Sequence, residues 1–505
     1  PKIGPLEINL NLKLTTPQAV QKIYIAMSFL LKIMQVSVLD ELKAIVGDEF
    51  ATNDPIIRWT YSMDSNIFDL INPSPPLYVV RPKSNEEVQK IIKLANKMKI
   101  PIYVQGAGTN DAGARGEKIK ESILIDMTRM NDVLEIDEES LTVTVQAGIT
   151  WGKLNAELEK KGWRLGFKGT YSGYAATVGG GIANNSNGMG SAKYGVLGEE
   201  VISLTVVLPN GEILKTGTAI NPYAKRYYRY AIGPDITGLF IGSLGAFGVI
   251  TEATLRIYPK AEFSEFGAYA FKKYDDAQKC YYEWLKYEVA EDIAWYAEDG
   301  LYVMVPELYD AGYVSLLTYV VEDTTQNLVY ARKELLDRIA LENNGEPQDK
   351  KYAEDGWKYK FELLPRWAGK IGAWQWLCHL NSAGGSLKDL LSILNYVNSR
   401  KDECKRLKIY TATVSIAHKN AGHVSTSLYF DQTNPEAIKV AKEMSEDIVK
   451  IAIKNGGCNY KPGKLWYKDT ILRNRVYHQM LLELKRSLDP NNIMNPGALA
   501  LNLER

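Results

Sequence analysis

The chain has 505 residues, and its 60 Lys and Arg residues are balanced by 60 Asp and Glu residues, so the formal net charge at pH 7 is zero. This length predicts two or three domains, the 46% hydrophobic and 24% charged composition excludes a disordered chain, and the neutral charge argues against a dedicated nucleic-acid-binding protein. Four widely spaced cysteines exclude a ferredoxin-type Fe–S cluster, a Cys-rich zinc ribbon and a disulfide framework, and they predict a reducing, cytoplasmic setting.

The first 75 residues are predicted to form a helical lead-in. Apolar residues recur at helical spacing between Pro17 and Gly47, and a Pro-rich stretch at 72–76 ends the segment. The longest apolar run, Ile23–Leu39, contains polar residues and is shorter than the roughly 20 apolar residues that a membrane span needs. We therefore expect no integral membrane segment.

Strand and helix patterns alternate after the lead-in, which is typical of an α+β or α/β arrangement. A capping box at Ser84–Glu87 predicts the start of a helix. A strand at Ile102–Gln105 leads directly into a glycine-rich loop. The strands predicted here are 77–81, 102–105, 122–126 and 141–146, and a helix is predicted over 151–161.

The middle of the chain contains a segment at 169–200 that is rich in Gly, Ser and Asn. A β-hairpin is predicted after it, and the dipeptide Asn210-Gly211 indicates a type I′ turn. A second glycine-rich turn at 242–248 precedes a strand that continues through Leu255.

Aromatic residues become frequent after Pro259, which predicts a domain boundary near residue 260. The last predicted element is a helix over Leu472–Leu488, ended by Asp489 and Pro490.

Two glycine-rich segments are candidates for phosphate binding. Glycines in the loop Val104–Gly116 let backbone N–H groups approach an anion, although a tight turn without a ligand is the alternative, and neither a GxGxxG fingerprint nor a P-loop occurs. Ordering the many glycines of residues 169–195 costs conformational entropy. A bound polyphosphate ligand would offset that cost, and a long irregular loop is the alternative.

Four segments, in this order, resemble the vanillyl-alcohol-oxidase/p-cresol-methylhydroxylase superfamily of flavoproteins. The first part is most similar to the D-lactate dehydrogenase and glycolate oxidase branch. The segments are PIYVQGAGTNDAG, then ATVGGGIANNSNGMGSAKYG with VISLTVVLPNGEILKTG, then GPDITGLFIGSLGAFGVITEATLRIYP, and finally LDPNNIMNPG.

The resemblance implies an α+β fold, in which a PCMH-type FAD-binding domain of two α+β subdomains carries an inserted α+β cap domain. We expect a lead-in at 1–75, the FAD-binding domain at 76–259, the cap domain at 260–470 and a segment at 471–505 that returns to the FAD-binding domain.

The resemblance also implies which residues hold FAD. Some relatives tether FAD through a histidine in the pyrophosphate loop, but residues 108–111 contain no histidine, so we expect non-covalent FAD. Val249 and Ile250 are expected to offer backbone bonds to the adenine side, and Asn495 is expected to approach the flavin. Backbone amides for the pyrophosphate are expected from Gly106, Ala107, Gly108, Thr109 and Asn110, and further cofactor contacts from Ser172, Thr177, Gly180, Gly181, Asn184, Ser191 and Gly195.

Many members of the hydroxy-acid branch carry a metal motif, HxGDGNxH, followed by a later Glu-His pair. In this chain His418 fits the first position, Ser425 replaces the second histidine, and residues 456–463 lack the Glu-His pair. We therefore expect no bound metal.

The stretch 455–466 instead resembles the aromatic-alcohol and alkylglycerone-phosphate branches, and it contains Tyr460 and Lys461. Alcohol oxidation needs a base for the hydroxyl proton and donors for developing negative charge. The candidate base is His418 or His423, with a surface or structural histidine as the alternative for each. Tyr460 is a candidate to bind the oxygen, and Lys461, Lys464 and Arg366 are candidates to pair with a substrate carboxylate or phenolate.

The leading hypothesis is an FAD-dependent oxidoreductase that oxidises a 2-hydroxy acid such as D-lactate or glycolate by hydride transfer to flavin N5. The alternatives are a 4-alkylphenol or aromatic-alcohol oxidoreductase of the same superfamily, and a flavin electron-transfer or assembly subunit without its own substrate. The chain has no Fe–S ligands, no CxxCH haem motif and no nicotinamide fingerprint. We therefore expect a small-molecule substrate and a separate electron-acceptor protein or carrier, and a homo-oligomer is compatible with the sequence.

Overall fold

The computed structural model describes residues 38–117, 119–230, 233–362, 378–383, 387–459 and 461–503, without the side chains of 378–383 and of His423. Most of the predicted lead-in helix lies outside these residues, and residues 38–46 of it are helical. The mixture of helices with three separate β-sheets confirms the predicted α+β fold class.

The first sheet has four strands in the order β1-β2-β4-β3. Its central strands are parallel, as expected for strands joined by a crossover helix. That helix begins after Ser84, whose hydroxyl accepts the Glu87 N–H, so the hydroxyl half of the predicted capping box is present. The Glu87 carboxylate accepts the Lys83 N–H at 2.8 Å, one residue before the N-cap. The strands are β1 (Ala51–Thr52), β2 (Tyr78–Val80), β3 (Ile102–Gln105) and β4 (Ile123–Asp126).

The second sheet has six strands, in the order β5-β6-β10-β8-β9 with β7 also paired to β10. The predicted hairpin is present as β8 and β9, but the predicted type I′ turn is wrong. Only Gly211 has a positive φ, of 83°, whereas a type I′ turn needs a positive φ at Asn210 as well. The strands are β5 (Val133–Asp137), β6 (Thr142–Gln146), β7 (Trp163–Leu165), β8 (Val201–Val207), β9 (Ile213–Lys215) and β10 (Val249–Pro259).

The third sheet has seven strands, paired antiparallel in the order β14-β11-β13-β12-β16-β17-β15. It begins four residues after β10 ends, so the change of sheet falls at the position where the aromatic residues become frequent. The domain limits themselves stay a prediction. The strands are β11 (Phe263–Phe271), β12 (Asp292–Ala297), β13 (Ser315–Asp323), β14 (Glu346–Pro347), β15 (Cys378–Ala383), β16 (Tyr410–His418) and β17 (Ala421–Tyr429).

Helices cover the sheets and connect them. Within the described residues, no helix has the length and apolar character needed to cross a membrane. The α-helices are α1 (38–46), α2 (Pro55–Thr60), α3 (Ile67–Ile71), α4 (Asn85–Met98), α5 (Trp151–Glu159), α6 (Val178–Asn184), α7 (Ser191–Tyr194), α8 (Leu197–Glu200), α9 (Ile236–Phe240), α10 (Tyr274–Tyr287), α11 (Glu298–Met304), α12 (Pro306–Asp310), α13 (Gln326–Glu342), α14 (Lys351–Lys358), α15 (Leu387–Ser399), α16 (Lys401–Leu407), α17 (Pro435–Lys454) and α18 (Arg475–Leu488).

We call residues 38–259 together with 475–503 the glycine-rich half, and residues 263–459 the cap half. Each half has its own large buried hydrophobic cluster. The segment after α18 returns to the first sheet, where the Ile102 N–H donates to the Ile493 carbonyl at 2.6 Å and the Asn495 N–H donates to the Ile102 carbonyl at 2.8 Å.

Buried ion pairs join the two halves. Lys193 of α7 contacts Glu291 at 2.7 Å, and Lys168 contacts Glu322 of β13 at 3.0 Å. The Glu291 side chain has no solvent exposure, and Glu322 also accepts a hydrogen bond from the Trp357 indole at 2.7 Å. An ion pair of this kind fixes the orientation of the two surfaces, because separating them would leave a buried charge unpaired.

Candidate functional site

A cavity of about 590 Å³ lies between the two halves. Its wall in the glycine-rich half consists mainly of the loop after β3 and of the region around α6, and the cap half contributes residues of β16 and β17. Its lining includes Asp64, Gln105, Gly106, Ala107, Gly108, Thr109, Asn110, Asp111, Tyr171, Ser172, Thr177, Gly180, Gly181, Asn184, Ile250, Ile416, Ser425, Gln432 and Lys461.

The loop after β3 presents backbone donors to this cavity. Among the described residues, no acceptor takes a hydrogen bond from the backbone N–H groups of Ala107, Gly108, Thr109 or Asn110. Gly108 has a φ of 67°, in the left-handed region that favours glycine. Consecutive backbone N–H groups in such a turn form an anion-binding nest.

The start of α6 forms the neighbouring wall. Thr177 is the N-cap residue, and its hydroxyl accepts the Gly180 N–H at 3.3 Å. Gly106 packs so closely on this residue that a Cβ added to it would lie 2.2 Å from Thr177 Oγ1. The Asn110 side chain donates to Asn184 Oδ1 at 2.9 Å and so joins the loop to α6.

This wall fits the FAD that the sequence resemblance implies. A dinucleotide cofactor needs donors for two phosphates and space close to the backbone, and the loop and α6 offer both. In addition, the buried Gln105 Oε1 lines the same cavity and has no hydrogen-bond partner among the described residues, which a bound polar molecule would supply.

Eleven of the residues predicted to contact FAD line the cavity, and four do not. The four are Ser191, Gly195, Val249 and Asn495, and each has a structural role here. The Ser191 hydroxyl accepts the Gly188 N–H at 3.2 Å, Gly195 ends α7 with a φ of 83°, and Val249 is fully buried where β10 begins. These four residues lie outside the cavity lining, and their direct contact with FAD stays a prediction.

Asn495 joins three segments of the glycine-rich half instead of approaching the cavity. Its amide donates to the Ala114 carbonyl at 3.0 Å and to the Leu244 carbonyl at 2.7 Å, and its Oδ1 accepts the Gly116 N–H at 2.7 Å. These bonds use both hydrogens of the amide nitrogen. Asn495 therefore holds the loop after β3 in place from behind.

Lys461 is the candidate catalytic residue that the structure places on the cavity wall. Its side chain is 8% exposed and forms an ion pair with Asp111, which also lines the cavity. The pair brings the end of the loop after β3 next to the segment that follows α17. Lys464 lies outside the cavity lining, because its side chain packs against Gly113.

The two candidate bases lie at different places on the β16–β17 hairpin. His418 ends β16 near Glu199, outside the cavity lining, and burial lowers the pKa of its imidazole. The backbone of residue 423 lies directly opposite Ile416 and two residues before Ser425, and both of these line the cavity. The side chain of His423 lies outside the description, as do Arg366 and Tyr460.

The position that the metal motif would occupy lies partly on the cavity wall. Ser425, which replaces the second histidine of that motif, lines the cavity. Within the part of the chain that the structure describes, no group of three or more His, Cys, Asp and Glu side chains is arranged to hold a metal ion.

Several lining residues were not predicted from the sequence. Asp111 lies within the segment PIYVQGAGTNDAG, so its position in that segment could have indicated it. Asp64 belongs to the lead-in, which had no assigned function, and Gln432 follows β17, where no motif drew attention to it.

Two family models match the chain. One, an FAD binding domain, matches residues 76–217, and the other, the C-terminal domain of FAD linked oxidases, matches residues 301–461 and 470–499. The first match lies within the glycine-rich half, and the second covers most of the cap half and continues into the segment that returns to the glycine-rich half.

Curated relatives match over most of the chain. A mitochondrial D-lactate dehydrogenase (cytochrome) of Arabidopsis thaliana is 30% identical over 491 residues, which cover 91% of this chain and 79% of the relative. The glycolate oxidase subunit GlcD of Bacillus subtilis is 25% identical, and the match covers 92% of this chain and 96% of the relative.

Solved structures show the same fold at lower identity. A 4-ethylphenol oxidase from Gulosibacter chungangensis superposes with a TM-score of 0.78 at 17% identity, covering 94% of this chain and 98% of that one. A p-cresol methylhydroxylase superposes with a TM-score of 0.77 at 17% identity, covering 93% and 97%. At this level of identity the likeness concerns the fold alone.

Proposed function

Because the chain belongs to the p-cresol-methylhydroxylase-type family of FAD-linked oxidoreductases, we propose that its substrate is a 2-hydroxy acid of the D-lactate or glycolate kind. FAD is its cofactor, as the sequence predicted, and its non-covalent attachment stays a prediction. The reaction would convert the alcohol carbon to a carbonyl and release two electrons and two protons.

The observation that carries this proposal is the buried Lys461 on the wall of the cavity, which Ser425 and Gln432 also line. A buried ammonium group stabilises a carboxylate strongly, because little water screens the two charges. Asp111 is one of the partners of Lys461. The relatives described as D-lactate dehydrogenase and glycolate oxidase subunit support the same substrate class.

The chemistry that the cofactor supplies when bound is acceptance of a hydride from the alcohol carbon. The chain must then take the hydroxyl proton, hold the carboxylate and keep water out. We assign the proton to His423, since its backbone lies opposite Ile416 and near Ser425 on the cavity wall. A neutral imidazole near pH 7 is suited to this role.

The nearby Ile416 supplies an apolar surface at the same wall, which favours a small substrate over water. Tyr460 stays a candidate for binding the substrate oxygen, and Arg366 stays a candidate for pairing with its carboxylate. His418 is the weaker candidate base, because it lies outside the cavity lining.

The test is to mix the holoprotein anaerobically with D-lactate, glycolate or 4-alkylphenols and to measure the loss of the visible absorbance of oxidised flavin. We expect bleaching by a 2-hydroxy acid. Bleaching by 4-alkylphenols alone would support the aromatic-alcohol alternative, and no bleaching by any of them would support an electron-transfer subunit without its own substrate.

Matched variants test the role of Lys461. Lys461→Met should raise KM for the hydroxy acid by at least about tenfold, because one charge-assisted hydrogen bond contributes about 1.5–3 kcal/mol. Lys464→Met is the control, since that lysine follows closely in sequence but lies outside the cavity lining. Equal effects of the two variants would contradict the role of Lys461.

We further propose that the electrons leave to a separate acceptor protein or carrier. This proposal rests on the absence of sequence motifs for a second redox centre in the chain. The cytoplasmic setting and the homo-oligomer stay predictions, and relatives such as the Arabidopsis thaliana enzyme are described as mitochondrial.

A further inference from the structure

A buried carboxyl group of the lead-in faces the loop after β3. Asp64 is 2% exposed and lines the cavity. Its Oδ2 accepts the Tyr103 hydroxyl at 2.7 Å, but its Oδ1 has no hydrogen-bond partner among the described residues. Arg115 Nη1 lies 3.9 Å from this oxygen, which is too long for a hydrogen bond.

Asp64 contacts the loop after β3 directly. Asp64 Oδ1 lies 3.4 Å from the point where a Cβ on Gly108 would stand. The next residue, Ser65, donates its N–H to the Gly108 carbonyl at 3.0 Å. Asp64 therefore reaches the cavity at the residue whose left-handed conformation shapes the loop.

The cluster around Asp64 contains two carboxylates and one cation. Arg115 is 1% exposed and donates to the carbonyls of Tyr61 and Ser74, both at 2.8 Å. Asp69 accepts the Asp64 N–H at 3.0 Å and lies 3.8 Å from the same guanidinium. One buried guanidinium thus serves two carboxyl groups, so a proton on one of them would balance the charge.

We propose that Asp64 is a cofactor-binding residue, which in its protonated form donates a hydrogen bond from Oδ1 to the pyrophosphate of FAD beside Gly108. This inference rests on the proposed placement of the pyrophosphate at residues 106–110. The geometry favours the neutral form, because an ionised carboxylate next to a phosphate would be repelled. FAD and one proton would therefore bind together.

The pKa of Asp64 lies within the pH range in which FAD binding can be measured. Burial raises the pKa of this carboxyl to about 6, and Asp69 acts in the same direction, whereas Arg115, Tyr103 and Lys464 act against it. Asp111 and Lys461 face the same cavity as a mutual ion pair. Since FAD would bind the chain with Asp64 protonated, the affinity of the chain for FAD should fall as the pH rises above about 6.

The test measures the Kd for FAD by flavin fluorescence on the full chain freed of flavin, from about pH 5.5 to about pH 8.5. In the wild-type protein, Kd should rise by up to about tenfold per pH unit above pH 6. Asp64→Asn keeps an acceptor for Tyr103 and a permanent donor, so its Kd should not depend on pH and should be at least as low as the wild-type value at pH 8.

A matched control is Asp292→Asn. Asp292 is a buried carboxyl of the cap half whose pKa burial raises to about 7, but it does not line the cavity. This variant should keep the wild-type pH dependence of Kd. If Asp64→Asn does not fold, Tyr103→Phe provides a second test, because loss of its hydrogen bond should move the pH midpoint upwards.

Two outcomes would overturn the proposal. One is a wild-type Kd that is constant or falls with rising pH, and the other is an Asp64→Asn protein that keeps the wild-type slope. Gly106→Val separates this failure from that of the cofactor placement. If Gly106→Val leaves the Kd for FAD unchanged, the pyrophosphate does not lie at this loop. If Gly106→Val binds FAD weakly but Asp64→Asn keeps the wild-type dependence of Kd on pH, only the role of Asp64 is contradicted.

Discussion

The two walls of the cavity are made by different means. In the glycine-rich half, the wall is backbone: residues 106–110 offer N–H groups, and glycines allow close contact with α6. In the cap half, the wall is made of side chains on regular antiparallel strands, such as Ile416 and Ser425. Most glycines with positive φ accordingly lie in the glycine-rich half.

This difference explains which kind of ligand each wall can recognise. Backbone donors recognise a phosphate group whatever side chains surround them, so the glycine-rich wall suits a cofactor that all members of the family share. Side chains on strands can change without disturbing the strand pairing, so the cap wall suits a substrate that differs between members. The predictions below test this division.

The largest expected effect concerns the contact between the halves. Lys168→Met should leave Glu322 buried without its cation, which costs about 3–5 kcal/mol when a buried ion pair is broken. In urea, the two halves should then unfold at separate midpoints, measured by tryptophan fluorescence and by flavin release. A single unfolding transition at the wild-type midpoint would contradict this coupling.

A slightly smaller effect concerns the cap half alone. Burial raises the pKa of Asp292 from 3.8 to about 7, so the folded state keeps a proton that the unfolded state loses between these values. The contribution to stability is fully present below pH 3.8 and is lost as the pH rises through about 7, by on the order of 3–4 kcal/mol. The Tm of Asp292→Asn should therefore change less than that of the wild type between pH 5 and pH 8, whereas parallel curves would contradict the assignment.

The third effect concerns the backbone wall. Gly106→Val should weaken FAD binding by about 2–3 kcal/mol, about 100-fold in Kd, because the added Cβ would meet Thr177 Oγ1 at 2.2 Å. Gly356→Ala is the control, since nothing lies within 4 Å of an added Cβ there. The control should bind FAD normally, and titration by flavin fluorescence measures both.

The smallest effect should come from an exposed pair at the same contact between the halves. Lys419 of the cap half pairs with Glu199 of the glycine-rich half, and both side chains are more than a third exposed. Lys419→Met should cost less than about 1 kcal/mol of unfolding free energy, because water screens exposed pairs. A loss comparable to that of Lys168→Met would show that burial is not what distinguishes the two pairs.

The sequence predicted the local elements well where capping and strand patterns are strong, as at Ser84 and Ile102–Gln105. It also predicted most of the cavity wall in the glycine-rich half, because those residues lie in two glycine-rich motifs. The turn at Asn210 was misjudged, because the Gly211 N–H donates to the Leu208 carbonyl, so Pro209 and Asn210 are its central residues and Gly211 follows them. Asn495 was expected to approach the flavin, but its partners Ala114, Gly116 and Leu244 are distant in sequence and known only from the fold. Asp64 was missed for the same reason.

The position of Asn495 has a consequence for biosynthesis. The loop after β3 is translated early, but the side chain that holds Gly116 in place lies 379 residues further along the chain. A nascent chain therefore cannot complete the loop after β3 until residue 495 has left the ribosome. Cofactor loading should follow translation, and chains that stop short of this residue should accumulate without flavin.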